Sequence, residues 1–325
     1  MVMPPNREDG YARSFLPLSP EPFEDPLMSA PETDLEQLAQ TLERSDDYRV
    51  LRRLKPRQAF HPSKTEPTKR AILLDVETTG LDTTRDEVVE LGMVKFSYHA
   101  GGEVGAVIDT FSSLNEPTIA IPEDAIKKHG LTDAMVAGHK IDGEAVNAFV
   151  SDAAIVIAHN AGFDRKFAER FWPVFASKHW GCSVYGVAWR DHGFEGSRLG
   201  YLLNGIGLFH RSHRGLDDCH ALLEILAQTL PGIERTVLAT LLETARRKTV
   251  RIWAEQSPFD LRGELKKRGY RWNAGEDGRP RAWFIDVDEE KRDDEIAYLR
   301  SSIYLRDVDL LMQTITALDR FSVRG

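Results

Sequence analysis

Four carboxylates and one histidine have the types and settings for divalent-metal chemistry on a phosphate. They are Asp75 and Glu77 in ILLDVETTGLD, Asp164 in AHNAGFDRKF, and His213 with Asp218 in HRGLDD. If the first run is a strand, Asp75 and Glu77 point the same way. Like charges taken out of water disfavour each other's ionisation, and a divalent cation compensates them. An all-oxygen donor set suits Mg²⁺ or Mn²⁺. Thr78-Thr79-Gly80 then makes a polar turn where backbone can approach a substrate.

The elements that must position these groups follow from local pattern. Ala71 to Leu74 is an apolar run typical of a strand buried on both faces, and Ala154 to Ala158 is a second. A helical pattern from Phe163 to Phe171 puts Asp164 in a first turn just beyond that second strand. Leu216, Cys219, Leu222, Leu223 and Leu226 mark the apolar stripe of a helix over Gly215 to Leu230, with Asp218 near its start and His213 in the loop before it. Each segment alone has a plainer reading. Asp75 and Glu77 could be a solvated strand end, Asp164 an acid favoured by the helix dipole, and His213 a solvated loop histidine beside His210 and His220. Their joint occurrence favours one site.

The order of these segments resembles the three exonuclease motifs of the DEDD superfamily in its histidine branch, which includes the proofreading epsilon subunit of bacterial replicative polymerase, RNase T and oligoribonuclease. The resemblance runs from about Arg70 to Gln228, and IPEDAIKKHGLTDAMVAG between the motifs fits it as well. It implies an α/β fold, an RNase H-like mixed five-stranded sheet flanked by helices. It also implies a 3′-to-5′ exonuclease that releases 5′-mononucleotides with two divalent cations as cofactors. Asp75 would bridge both metals, Glu77 and Asp218 would bind the metal that activates water, and Asp164 would serve the second. His213 would be the general base, and Thr78, Leu81, His159, Asn160 and Phe163 would line the pocket for the terminal nucleotide. Cys182-Ser183-Val184-Tyr185 departs from the Asp-Thr or Cys-Thr pair frequent in relatives, which bears on substrate fit and not on the metal count. Single-stranded DNA is the expected substrate by family habit, an exoribonuclease is the alternative, and a polymerase or repair partner is implied.

Composition bounds the other readings. At 325 residues the chain exceeds one typical domain, and 42% hydrophobic content is enough for a sizeable core. Cys182 and Cys219 match no zinc spacing and read as reduced core thiols. With no signal pattern at the start and no long apolar stretch, a cytoplasmic protein without membrane contact is expected. A net charge of −9 suits local binding of a strand end better than long-range capture of duplex. A non-catalytic binding protein would be expected to lack ligands that are present here. The His213 to Asp218 arrangement argues against an RNase H-like endonuclease, and an aspartic protease needs paired Asp-Thr-Gly segments.

Three regions frame the exonuclease span of 67–230. Residues 1–66 read as a largely disordered extension with short amphipathic helices, the first at Leu35, Leu38, Ala39 and Leu42. The second piece holds Tyr48, Val50, Leu51 and Leu54 with Arg49, Arg52 and Arg53, and Pro56 to Pro67 reads as a linker. Residues 231–249 read as a connecting helix. Residues 250–325 show a β-α-β-β-α-β order, predicting a small ferredoxin-like α+β domain. Its basic and aromatic residues, among them Lys266, Lys267, Arg268, Arg271 and Trp272, are possible single-strand contacts. The alternative is that Tyr270, Trp272 and Trp283 simply fill its core.

Overall fold

The computed structural model describes residues 32–60, 68–276 and 278–324. The chain divides into two compact units, 1–50 and 51–325. The described part of the first contains helix α1 (Glu32–Glu43). Its leucines 35, 38 and 42 are exposed within the described structure.

The second unit opens with a short strand β1 (Arg52–Arg53). Here the sequence reading is corrected, because Leu51 to Leu54 is extended and not helical. Lys55 precedes Pro56, a position that disfavours helix. The strand's amides find acceptors in a parallel pairing with Leu208 and Phe209: Arg52 N donates to Gly207 O at 2.9 Å and Leu54 N to Phe209 O at 2.7 Å. The start of the expected linker is also fastened, with Phe60 N donating to Gly105 O and Arg57 Nε to Glu224 at 2.9 Å. The rest of that linker, 61–67, lies outside the described residues.

The main sheet holds β2 (Lys69–Thr78), β3 (Val88–Tyr98), β4 (Val104–Leu114), β5 (Ile155–Ala158) and β6 (Trp180–Cys182) in the order β4-β3-β2-β5-β6. The first three pair antiparallel, while β5 and β6 run parallel to β2. This is the mixed RNase H-like sheet that the sequence predicts. Strand β2 is buried on both faces: Ala71 and Leu73 join one core cluster and Ile72, Leu74 and Val76 the other. Asp75 and Glu77 continue the face of Ala71 and Leu73. That face packs on α7 (Gly215–Leu226) and α8 (Val237–Arg246), while α5 (Ala161–Phe171) packs on the opposite face. Helices α2 (Glu123–His129), α3 (Asp133–Val136) and α4 (Gly143–Val150) connect β4 to β5. Helix α6 (Leu199–Gly205) and β7 (Leu208–Phe209) precede α7.

The remaining elements are β8 (Thr249–Ala254), α9 (Arg262–Lys267), β9 (Arg271–Trp272), β10 (Trp283–Asp288), α10 (Arg292–Tyr298) and β11 (Leu311–Ile315). The four strands form an antiparallel sheet in the order β11-β8-β10-β9, as a ferredoxin-like domain requires. Val250, Ile252 and Ala254 alternate inward to a core with Leu265, Leu299 and Ile303. This sheet domain docks on the main sheet through the segment after β11. Trp180 N donates to Ala317 O at 2.9 Å. The fully buried Arg165 of α5 donates to the carbonyls of Ala317 (3.2 Å), Leu318 (2.6 Å) and Arg320 (2.7 Å). No helix among the described residues is long and apolar enough to cross a membrane.

Candidate active site

Strand β2 carries Asp75 and Glu77 to its end on the α7 face, and α7 delivers Asp218 from above. One oxygen from each of these three carboxylates lies within 4.8 Å of the other two. Asp164 comes from the other layer: in the first turn of α5, it curls around the strand end and accepts a hydrogen bond from Val76 N at 3.2 Å. The sequence thus identified four acids that the fold does bring together.

Their electrostatics are those of crowded, buried acids. Burial, together with the charges of Asp164 and Asp218, holds the Asp75 carboxyl well above the usual range. Burial and Asp218 push Glu77 up to about 8. Burial pushes Asp164 up to about 7 against the opposing hydrogen bond from Val76. Oxygen donors that resist ionising together fit a hard divalent cation, whose charge would reverse these shifts.

Two features set the position of Asp218. Its Oδ2 accepts from Arg214 N at 2.9 Å, tying the side chain back to the start of its own helix. Its Oδ1 meets His210 Nε2 at 3.0 Å, and the His210 side chain is only 4% exposed. His210, which the sequence reading mentions only as a neighbour of His213, is therefore the residue braced against this carboxylate. His213 is exposed and holds a left-handed backbone, φ 64°, a conformation that costs a non-glycine residue about 1–3 kcal/mol. Partial burial and the Lys128 charge lower its imidazole below the ordinary 6.5, with Asp218 opposing.

The sequence reading missed a further supporting layer. Glu90 on β3 sits opposite Glu77 and is 1% exposed. It accepts from the Arg214 guanidinium at 2.9 Å and from Gly215 N at 3.1 Å, so it anchors the start of α7 beside Glu77. Lys128, at the end of α2, lowers Glu77 and Asp164 through its charge. Neighbouring His129 is buried, with Nδ1 accepting from Leu131 N and Nε2 lacking a partner among the described residues. The run KKHG was the available signal for these two.

The residues expected around a terminal nucleotide sit at and just beyond the ends of β2 and β5. Thr78 is buried and donates to Gly80 O at 2.6 Å, while Leu81 is 76% exposed. His159 Nδ1 meets Ser183 Oγ at 2.7 Å, so the departure at Cys182-Ser183 supplies that histidine's partner. Burial lowers the His159 imidazole. Asn160 precedes α5, exposed and without a capping bond, and Phe163 packs on Phe167 with ring centres 4.9 Å apart.

The basic-aromatic group in the C-terminal domain is less open than its sequence suggests. Arg268 pairs with Glu295, Arg271 with Asp286 and Lys267 with Glu264. Tyr270 is buried and donates to Glu295 at 2.7 Å. Lys266 is exposed on α9. Trp272 remains half exposed, edge-on to Trp283.

Residues 72–226 match the family model described as Exonuclease, RNase_T. A DNA polymerase III PolC-type protein of Thermotoga maritima is 26% identical over 204 residues, which cover 58% of this chain and 14% of that relative. A DNA polymerase III subunit epsilon-like protein of Rhodobacter capsulatus is 30% identical over 186 residues, covering 52% of this chain and 25% of the relative. The chain thus spans a quarter or less of the length of these relatives. Among solved structures, E. coli Exonuclease I in complex with a dA16 oligonucleotide aligns with a TM-score of 0.46 at 12% identity, covering 72% of this chain and 71% of the other. The matched span encloses Asp75, Glu77, Asp164 and Asp218, so the part of the chain that is similar to the Exonuclease family and to these polymerase III proteins is the part that holds the four acids.

Proposed function

We propose that this protein is a metal-dependent 3′-to-5′ exonuclease that removes 5′-mononucleotides from DNA 3′ ends. The observation that carries the reading is the convergence of Asp75, Glu77 and Asp218, with Asp164 bonded to Val76 beside them. Two Mg²⁺ or Mn²⁺ ions at such carboxylates supply positive charge for the scissile phosphate and the leaving 3′ oxygen.

The chain's own residues do the rest. Asp75, Glu77, Asp164 and Asp218 hold the cations, and His210 and Arg214 hold Asp218. His213, neutral near pH 7 because its pKa lies below 6.5, accepts a proton from the attacking water as general base. Its exposed loop position lets it face an incoming strand end. Thr78, Leu81, His159, Asn160 and Phe163 frame the terminal nucleotide. The preference for DNA, and association with a polymerase or repair complex, draw on the polymerase III names of the relatives.

Digestion of 5′-labelled single-stranded DNA, single-stranded RNA and mismatched duplex, each with Mg²⁺ and with Mn²⁺, tests this. A ladder shortening from the 3′ end of DNA, faster than of RNA, is expected. Internal cuts, or no cleavage with either metal, would overturn it.

A further inference from the structure

Alternation along β8 sends Val250, Ile252 and Ala254 to the small domain's core and leaves Arg251 on the opposite face of its sheet. There Arg251 sits in register with Asp286, donating from Nε at 2.6 Å and from Nη2 at 2.9 Å. It is 6% exposed, and its Nη1 is buried with no hydrogen-bond partner among the described residues. The same Asp286 also takes a bond from Arg271 at 2.7 Å. One carboxylate thus serves two guanidiniums, and a buried donor goes unused. An unpaired buried cationic donor costs stability unless something pairs with it.

Arg251 lines a cleft of about 630 Å³ between this sheet face and the α5, β6 and α8 side of the exonuclease domain, within the size range of ligand sites. Lys166, Arg247, Arg271, Arg279 and Arg320 line it too, with Asp286 and Asp288 as the lining acids and Glu243 paired with Arg247 at 2.7 Å beside it. In a chain of net charge −9 this is a local inversion of sign. Aromatic surface accompanies it: Tyr185 is 69% exposed and stacks on Phe321 at 6.4 Å, while the ring of Phe284 is taken up by the guanidiniums of Arg251 and Arg271, each 4.7 Å from its centre. Cations with stacking rings form the combination that holds single strands, whose bases are free to stack. The cleft also reaches Thr83 and Gly162, close in sequence to Leu81 and Phe163, which the proposed function assigns to the terminal nucleotide.

We propose that this cleft binds the phosphodiester backbone of a single strand whose 3′ end lies at the carboxylates, with a phosphate taking the unused Arg251 Nη1 and bases lying against Tyr185 and Phe321. This rests on the exonuclease reading for the polarity of the strand. It differs from the basic-aromatic group singled out in the sequence, sharing Arg271 and Arg279 with it. The cations that matter are on the sheet face, separated in sequence and assembled by strand register and domain docking.

The test uses the full chain in EDTA, with fluorescence anisotropy of 5′-fluorescein-labelled dT16 and dT3. Arg251→Gln and Lys166→Glu are compared with wild type after a circular-dichroism melt. Lys166 lies at the half-buried rim, so its variant keeps the test alive if Arg251→Gln does not fold. Expected is a loss of about tenfold in dT16 affinity, a smaller ratio of dT16 to dT3 affinity, and a salt slope shallower by about 0.7 per lost phosphate contact. Folded variants that bind dT16 within twofold of wild type, or that lose dT3 and dT16 equally, would overturn the proposal. So would adenosine triphosphate binding that is lost in Arg251→Gln while dT16 binding is kept, which would assign the cleft to a free nucleotide. Hydrolysis of the p-nitrophenyl ester of thymidine 5′-monophosphate by wild type with Mn²⁺ is the separate arm. A wild type that cleaves neither ester nor oligonucleotide removes the exonuclease reading. One that cleaves the ester, but binds dT16 as its variants do, removes the cleft alone.

Discussion

Gly92 on β3 and Gly215 at the start of α7 meet backbone to backbone. A methyl group on Gly92 would lie 2.1 Å from the carbonyl carbon of Gly215, and one on Gly215 would lie 2.8 Å from the amide nitrogen of Gly92. Gly92 pairs with Asp75 across the sheet, so this close approach is what sets α7, and with it Asp218, directly over the strand that carries Asp75 and Glu77. Gly92→Ala should cost about 3 kcal/mol by overpacking and lower turnover by about 10²-fold through displacement of Asp218. Gly200→Ala on α6, where nothing lies within 4 Å of the added methyl, should be neutral or stabilising by up to ~1 kcal/mol. Thermal melts and single-turnover rates of the two variants check this, and equal behaviour would refute it.

Metal-free protein should become less stable as pH rises from 5 to 8. Asp75, Glu77 and Asp164 titrate higher in the folded state than the unfolded values near 4, with Glu77 at about 8 and Asp164 at about 7. Across that window the folded state holds protons the unfolded chain has released, so stability falls with pH. Mg²⁺ or Mn²⁺ binds the ionised form, and its addition should raise Tm more at pH 8 than at pH 5. Asp75→Asn should abolish hydrolysis and flatten the metal-free pH dependence. Calorimetry at both pH values decides, and a metal-free Tm that rises with pH would contradict the site's electrostatics.

The two histidines near Asp218 should separate by readout. His213→Ala should lower kcat by about 10²-fold with metal affinity nearly intact. In the wild type, the acid limb of kcat/KM should lie below pH 6.5, because the His213 pKa is lowered. His210→Ala removes the partner of Asp218 Oδ1 and should weaken metal binding by about 10- to 100-fold, with excess Mn²⁺ restoring much of the rate. Metal titration by calorimetry beside the pH profile distinguishes them, and the opposite pattern would exchange their roles.

Arg165 ties the two sheets together, and removing either end should be felt at the other. Arg165→Met would remove a fully buried guanidinium held by Glu169 and by three backbone carbonyls. A loss of about 3–5 kcal/mol is expected. Deleting residues from 250 onward strips those carbonyls away, so it should lower activity even on dinucleotides, although every proposed ligand lies earlier in the chain. Full activity of such a truncation on dinucleotides would show that the clamp has no bearing on Asp164.

What was legible in the sequence was what local pattern encodes. Asp75 and Glu77 are fixed by alternation on one apolar strand, Asp164 and Asp218 by their place in first helical turns, and the order from β8 to β11 by changes of period. What was hidden depends on contacts between distant segments. Nothing near His210 announces that it will reach Asp218, since the loop between β7 and α7 decides this. The Glu90–Arg214 pair needs the register of β3, and the Arg251 cleft needs the docking of two sheets. The stretch around Leu51 to Leu54 carries apolar spacing compatible with a helix, and only the free edge of β7 and the proline at 56 make it a strand.

The clamp on Arg165 also has a meaning in time. Ala317, whose carbonyl it holds, lies 152 positions later in the chain, so a ribosome finishes all four acids and both histidines long before that acceptor exists. During that interval the helix bearing Asp164 is translated but not braced. A prematurely released polypeptide would carry the whole ligand set on a loosened frame. Coupling the brace to residues translated so much later leaves the helix of Asp164 dependent on a segment that does not yet exist when the four acids are first assembled.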